Sequence, residues 1–283
     1  MRRFGKQTLF FIAPLIVAAA LWFVYYWVMT MIVSSRMNEI AKNEVLIMGD
    51  SQMQRINPVY FTKPTYNFAS SGEHFYFTFQ KLKTLTSIEK SNIKQVVLGV
   101  SAHSFAPVYT KFFDPGSPEG QKSLGHYFYF FDGNEFFRKK DLFDMASLKR
   151  VLFGTPDWGG LFESDLANPD TARIERALKM HFGGTGAECS TSQLTYLDAI
   201  VGHCQRNDIE LILVSTPYHP YYHSRVDDIY FQILRKMVNE YLALTYLNFL
   251  DTNMSTDLMS DGNHLNKRGA EIYSRQINEE INR

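Results

Sequence analysis

Two cysteines in 283 residues are too few for a disulfide-stapled scaffold. Cys189 and Cys204 also flank a stretch in which Leu194, Leu197 and Val201 recur at helical spacing. A helix there would hold the two Cα atoms roughly 22 Å apart at its 1.5 Å rise. A disulfide needs them within about 7 Å, so no intrachain bridge is expected. Charge of one sign is also missing. The 29 basic and 29 acidic residues cancel, which leaves no electrostatic footprint of a nucleic-acid binder. No internal repeat or low-complexity tract occurs, and no cluster of cysteine and histidine has metal-ligand spacing. Neither a metal nor another cofactor is called for.

The chain does have one long uncharged run, Thr8–Val33. It exceeds the about 20 apolar residues that cross a bilayer as a helix. Trp22, Tyr25, Tyr26 and Trp27 lie towards its end, as rings do at a membrane interface. Arg2, Arg3 and Lys6 precede it, which predicts a cytoplasmic N-terminus and an extracytoplasmic remainder. A cleaved signal peptide is the alternative. Its apolar core is typically about 7–15 residues, and this run continues past the small residues Ala18–Ala20. The expected organisation is an N-terminus and membrane anchor over 1–33, a polar stalk over 34–43, and one domain over 44–283.

Short apolar runs suit buried strands at Glu44–Met48, Thr65–Phe68, Gln95–Val100, Glu210–Thr216 and Tyr246–Leu250. Helical stripes alternate with them: Phe75, Phe79, Leu82 and Leu85; the run Thr191–Arg206; Tyr230, Ile233, Leu234, Met237, Val238, Tyr241 and Leu242; and Ala270, Tyr273, Ile277 and Ile281 within Lys267–Ile281. Strands alternating with helices predict an α/β fold: a parallel sheet with helices on both faces, in flavodoxin-like strand order. An aromatic-rich insertion over about 102–188 interrupts the pattern, with Tyr109, Phe112, Phe113, Tyr127–Phe131, Phe136 and Phe137. These rings either fill a small core of their own or present a patch to membrane, acyl chain or partner.

Gly49-Asp50-Ser51 follows the first strand, and Asp261-Gly262-Asn263-His264 comes near the C-terminus. A serine, a histidine and a carboxylate are the minimum set for acyl transfer through a covalent ester. Together the two blocks resemble the SGNH (GDSL-type) hydrolase and acyltransferase family from about Glu44 onward. Asn67-Phe68-Ala69-Ser70-Ser71-Gly72 is similar to that family's second block. The resemblance implies Ser51 as nucleophile, His264 as base and Asp261 as its orienting partner. It also implies an oxyanion hole from the backbone N–H groups of Ser51 and Gly72. Asn67 either orients the Gly72 loop or helps line the hole. The family's third block, Gly-x-Asn-Asp, is absent: after the third strand the chain reads Leu98-Gly99-Val100-Ser101. Ser101 stands where an asparagine donor is expected, and its shorter hydroxyl is the candidate replacement.

Asp50 is expected to be structural. His103 reads as an ordinary loop histidine or as one facing the pocket. The segment Thr216–His223 lies at the ligand edge, where Tyr218 and His219 suit a hydroxyl-rich acceptor, or serve only a loop stiffened by Pro217 and Pro220. One anchor plus one such domain resembles the envelope proteins that accompany membrane-bound O-acyltransferases. That resemblance implies an acylated or acyl-accepting cell-envelope glycan as substrate and such a transferase as partner. Two alternatives stay open: a glycan-binding or scaffold protein with a vestigial site, and a lipid-directed esterase.

Overall fold

The computed structural model describes residues 2–114, 116–131, 154–183, 189–250 and 254–283, with side chains from Ile12 onward. The described chain divides into two units, Met1–Glu39 and Ile40–Arg283. The first is carried by helix α1 (Arg2–Ile40). Over Ile12–Ile40 its mean hydropathy reaches 2.0, long and apolar enough to cross a membrane. Leu15, Ile16, Leu21, Phe23, Trp27 and Ile32 all stand exposed on it. The stretch read from the sequence as a stalk continues this helix to Ile40.

The second unit is an α/β domain around five parallel strands: β1 (Val45–Met48), β2 (Thr65–Asn67), β3 (Gln95–Gly99), β4 (Glu210–Ser215) and β5 (Thr245–Asn248). Their spatial order is β2-β1-β3-β4-β5, the flavodoxin-like order expected from the sequence. Register is continuous, with Ile47 beside Asn67 and Val97, and Val97 beside Ile212. Strands buried on both faces need apolar residues at every position, and all four residues of β1 are buried. Because side chains alternate along a strand, Val45, Ile47, Val97, Ile212 and Val214 share one face. There they pack with Ala270, Tyr273 and Ile277 of the closing helix Lys267–Glu280. The other face carries α2 (Phe75–Thr86), packed against the helix Thr191–Arg206.

The stripe read for α2 is only partly the buried one. Phe79 is half-exposed, whereas Lys81 is fully buried, its Nζ 4.1 Å from the centre of the Phe68 ring. The insertion, where described, holds the helices Val108–Phe113, Pro118–Tyr127 and Thr171–Phe182. Its rings form a core: Tyr109, Tyr127 and Phe130 are buried, Tyr127 stacks on Phe77 at 4.4 Å and Phe130 meets Phe68 edge-on at 5.7 Å. Phe136 and Phe137 lie outside the described residues. Cys189 and Cys204 are free thiols.

Candidate active site

β1 runs into Gly49, whose φ of +123° is a conformation that side chains resist. A Cβ there would also sit 3.2 Å from the backbone N of Gly99 on the neighbouring strand. Beyond it the chain turns sharply, because the Asp50 carbonyl accepts from the Met53 and Gln54 N–H groups and its carboxylate from the Gln52 N–H. This turn leaves Ser51 half-exposed at the C-terminal edge of the sheet. Open α/β sheets bind ligands at that edge.

The Ser51 Oγ lies 2.7 Å from His264 Nε2. His264 Nδ1 lies 2.9 Å from both carboxylate oxygens of Asp261. Asp261 also accepts from the backbone N–H groups of Asn263 and His264, at 3.0 and 2.9 Å. Burial alone would raise its pKa. The bond and charge of His264, together with those two N–H groups, outweigh it and bring the carboxyl to about 2. Asp261 is therefore a fixed anion at neutral pH, and an anion at Nδ1 selects the tautomer whose Nε2 can take a proton from Ser51. The structure thus brings Ser51 onto an Asp-His pair that lies some 213 residues away in the chain.

Gly72 has φ +67°, and a Cβ there would meet the Phe112 ring at 3.0 Å. Its N–H and that of Ser51 have no partner among the described residues. Of the four oxyanion-hole candidates read from the sequence, these two are unoccupied among the described residues. The other two candidates are occupied. Asn67 spends both amide hydrogens on the carbonyls of Met53 and Ile56, each at 2.7 Å, and its oxygen accepts from Ala69. It ties the nucleophile turn to the Gly72 loop and has no hydrogen left to donate. Ser101 is buried, and its single hydroxyl hydrogen goes to Gln52 Oε1 at 2.9 Å. The Gln52 Nε2 in turn donates to the Asn263 carbonyl at 2.9 Å. Gln52, which carries no motif signal, therefore laces the serine turn to both the third-strand loop and the Asp-His turn.

A buried network lies next to the nucleophile. Asp50 accepts from Tyr109 Oη and pairs with His103 Nε2 at 2.8 Å. His103 Nδ1 meets the Tyr218 hydroxyl at 2.9 Å, and that hydroxyl also accepts the His103 backbone N–H. Burial works to raise the Asp50 pKa, yet the charge and hydrogen bond of His103, then Tyr109 and the Gln52 N–H, hold it far below the usual range. Asp50 is thus held by its own turn and by two side chains of the insertion. His103 faces Asp50 rather than solvent, and the Tyr218 hydroxyl is committed to it instead of being open to substrate. His219 is half-exposed; its Nδ1 accepts from Tyr221 N and so caps the short helix Pro220–His223. His181 bonds the Tyr222 hydroxyl at 2.6 Å, and burial lowers its pKa to about 3, so it is neutral at physiological pH.

The Gly72 loop has its own brace. Lys81 Nζ donates to the Phe68 carbonyl at 2.5 Å, to Ser70 Oγ at 3.3 Å and to Glu73 Oε2 at 2.5 Å. Thr78 and Tyr127 complete the Glu73 carboxylate at 2.6 and 3.0 Å. The sequence offers one faint signal for this: a lysine inside an aromatic helical stretch, eight residues after a glutamate.

No protein-family profile matches the chain, and no curated protein does. Solved structures similar to it include a candidate acylhydrolase from Bacteroides fragilis, 12% identical over 88% of this chain and 93% of that one, with a TM-score of 0.45. A GDSL-like lipase from Bacteroides thetaiotaomicron is 12% identical over 89% and 97%, with a TM-score of 0.45. A candidate lipolytic protein of the G-D-S-L family from Desulfitobacterium hafniense is 12% identical over 83% and 98%, with a TM-score of 0.42.

Proposed function

We propose that the chain is a membrane-anchored serine esterase or O-acyltransferase of SGNH type. Its carrier observation is the unbroken chain Ser51–His264–Asp261, at 2.7 and 2.9 Å. Ser51 Oγ attacks an acyl carbonyl while His264 Nε2 takes its proton. Asp261 stabilises the imidazolium formed. The N–H groups of Ser51 and Gly72 stabilise the oxyanion. His264 then returns the proton to the departing alkoxide, which leaves an acyl-serine. In the second half His264 deprotonates water or an acceptor hydroxyl, which takes the acyl group and frees Ser51.

The length and apolarity of α1 support anchoring, and Arg2, Arg3 and Lys6 ahead of its apolar run support an N-terminus in the cytoplasm and a site in the extracytoplasmic space. Cell-envelope glycans carrying O-acyl groups are the substrates met there, and a membrane-bound O-acyltransferase suits the role of acyl supplier. With Ser101 bonded to Gln52, two backbone donors remain for the oxyanion. Losing one donor costs about 10²–10³ in kcat, which favours transfer to a held acceptor over broad hydrolysis. The same observation favours the second reading, a glycan-binding protein with a vestigial site.

Acetyl release from 4-nitrophenyl acetate by the full chain in detergent micelles, beside Ser51→Ala, tests the proposal. Release that depends on Ser51 supports an acyl-serine site. If release is absent and Ser51 also fails to react with a fluorophosphonate, the non-catalytic reading takes its place.

A further inference from the structure

Arg55 ends the short turn Met53–Arg55 that follows the nucleophile. Its side chain is only 8% exposed. Nη1 donates to the Phe162 carbonyl at 3.0 Å, and the guanidinium lies 4.5 Å from the Phe162 ring centre. Nε is buried with no acceptor, and among the described residues no carboxylate pairs with this cation. Buried arginines are rare, and an unpaired one is costly. A counter-charge from outside the chain would resolve it.

A second arginine stands nearby. Arg173 lies on the helix Thr171–Phe182. The next residue, Ile174, approaches the catalytic turn so closely that its Cγ2 would be 3.2 Å from a Cβ on Gly262. Arg173 is half-exposed, and its guanidinium has no partner among the described residues. Arg55 thus sits in the turn that follows Ser51, and Arg173 adjoins the residue packed on the Asp-His turn. After burial, which lowers the Arg55 pKa, the next influences on it are Asp261, which raises it, and Arg173, which lowers it. Asp261 is already satisfied by His264 and two backbone N–H groups. Positive charge is therefore left over near the two turns that carry Ser51 and His264.

We infer that Arg55 and Arg173 form an anion subsite beside Ser51, so that the ester this site takes carries a carboxylate or phosphate group. Guanidinium groups match both anions with paired hydrogen bonds. The exposed Phe162 ring would cover the anion's edge and shield the contact from water. This inference rests on the acyl-serine reading of the same site and narrows its substrate class.

The test follows labelling of Ser51 by a neutral fluorophosphonate, in the full chain in neutral detergent micelles. Succinate, inorganic phosphate and glycerol are titrated in as protectants at constant ionic strength. Succinate or phosphate is expected to slow labelling, and glycerol is not. The protecting concentration should rise about ten-fold in Arg173→Gln and in Arg55→Met, the worth of one charge-assisted hydrogen bond. Arg55→Lys should fall between, keeping the charge without the fork. Protection by succinate alone assigns a carboxylate-bearing substrate; protection by phosphate alone assigns a phosphate-bearing one. A protein that labels normally but gains no protection from either anion overturns the subsite, as does protection unchanged in both arginine variants. Arg173→Gln, at a half-exposed position, keeps the test decisive if Arg55→Met does not fold. If Ser51 does not label at all, the acyl-serine reading falls instead. Shifts of the two arginine Nε–H resonances on adding phosphate then decide the anion site separately.

Discussion

Lys81 and Glu73 form an ion pair at 2.5 Å with neither side chain exposed to solvent. The same ammonium holds the Phe68 carbonyl and Ser70 Oγ, so one buried charge braces the loop that presents the Gly72 N–H. Removing one partner of such a pair strands the other, at a cost of about 3–5 kcal/mol.

Lys81→Met should therefore destabilise the fold by about that amount. Lys81→Met combined with Glu73→Gln should recover part of the loss, because no charge is left unpaired. Urea unfolding of the three variants checks both statements. In the double variant kcat should fall while KM stays near its original value, since the brace acts on the oxyanion loop. Wild-type kcat in that variant would show that the brace serves stability alone.

Ser101→Ala should lower kcat by less than about ten-fold, because its hydroxyl serves Gln52 and not the oxyanion. Gln52→Ala should cost more, since it unties the serine turn from the Asn263 carbonyl as well. Steady-state kinetics on 4-nitrophenyl acetate measure both. A loss of about 10²–10³ in Ser101→Ala would place the hydroxyl in the hole instead.

Asp261 gives the fold an acid-sensitive share of its stability. Its pKa falls from 3.8 to about 2 on folding. A depressed carboxylate stabilises above its unfolded pKa, and that contribution is lost as pH falls through the folded value. Up to about 2 kcal/mol should thus disappear between about pH 4 and pH 2. Asp261→Asn should flatten urea midpoints across that window, and an unchanged slope would refute the assignment. Asp50 adds a similar loss extending to lower pH, because its pKa is held lower still.

Gly262→Ala should damage the site through packing. A Cβ there would sit 2.5 Å from Tyr222 Cδ2 and 3.2 Å from Ile174 Cγ2. Tyr222 is fully buried, so the Asp261–His264 turn is the part that must yield. Overpacking of this kind costs about 1–3 kcal/mol, and kcat should drop at least ten-fold. Trimming the ring with Tyr222→Leu in the same chain should restore part of the rate.

Much of the fold was legible because periodicity marks it directly. Val45–Met48 and Leu211–Val214 are continuous apolar runs, and Ala270, Tyr273 and Ile277 keep a helical stripe; both patterns survive any detail of packing. The serine, histidine and aspartate were legible as short motifs. What escaped was polar and long-range. Lys81 interrupts an apolar face and is satisfied only by residues that tertiary structure brings to it. The Asp50–His103–Tyr218 network joins three loops at different strand ends, and no local pattern encodes its pairing. Ser101 occupies the expected place in the chain, but the direction of its hydroxyl is decided by Gln52, whose reach depends on the finished turn.

The Asp261–His264 pair is closed by contacts at most three residues apart, all within one turn. The Ser51–His264 contact spans 213 residues. Local closure is entropically cheap and fast, whereas joining distant chain segments waits for the rest of the sheet. The acid–base half of the triad can thus form early, while the nucleophile meets it only when both ends of the domain have docked. During refolding, the return of serine reactivity would time the closure of this 213-residue span, and a domain lacking its last helix would keep the Asp-His turn without a reactive serine.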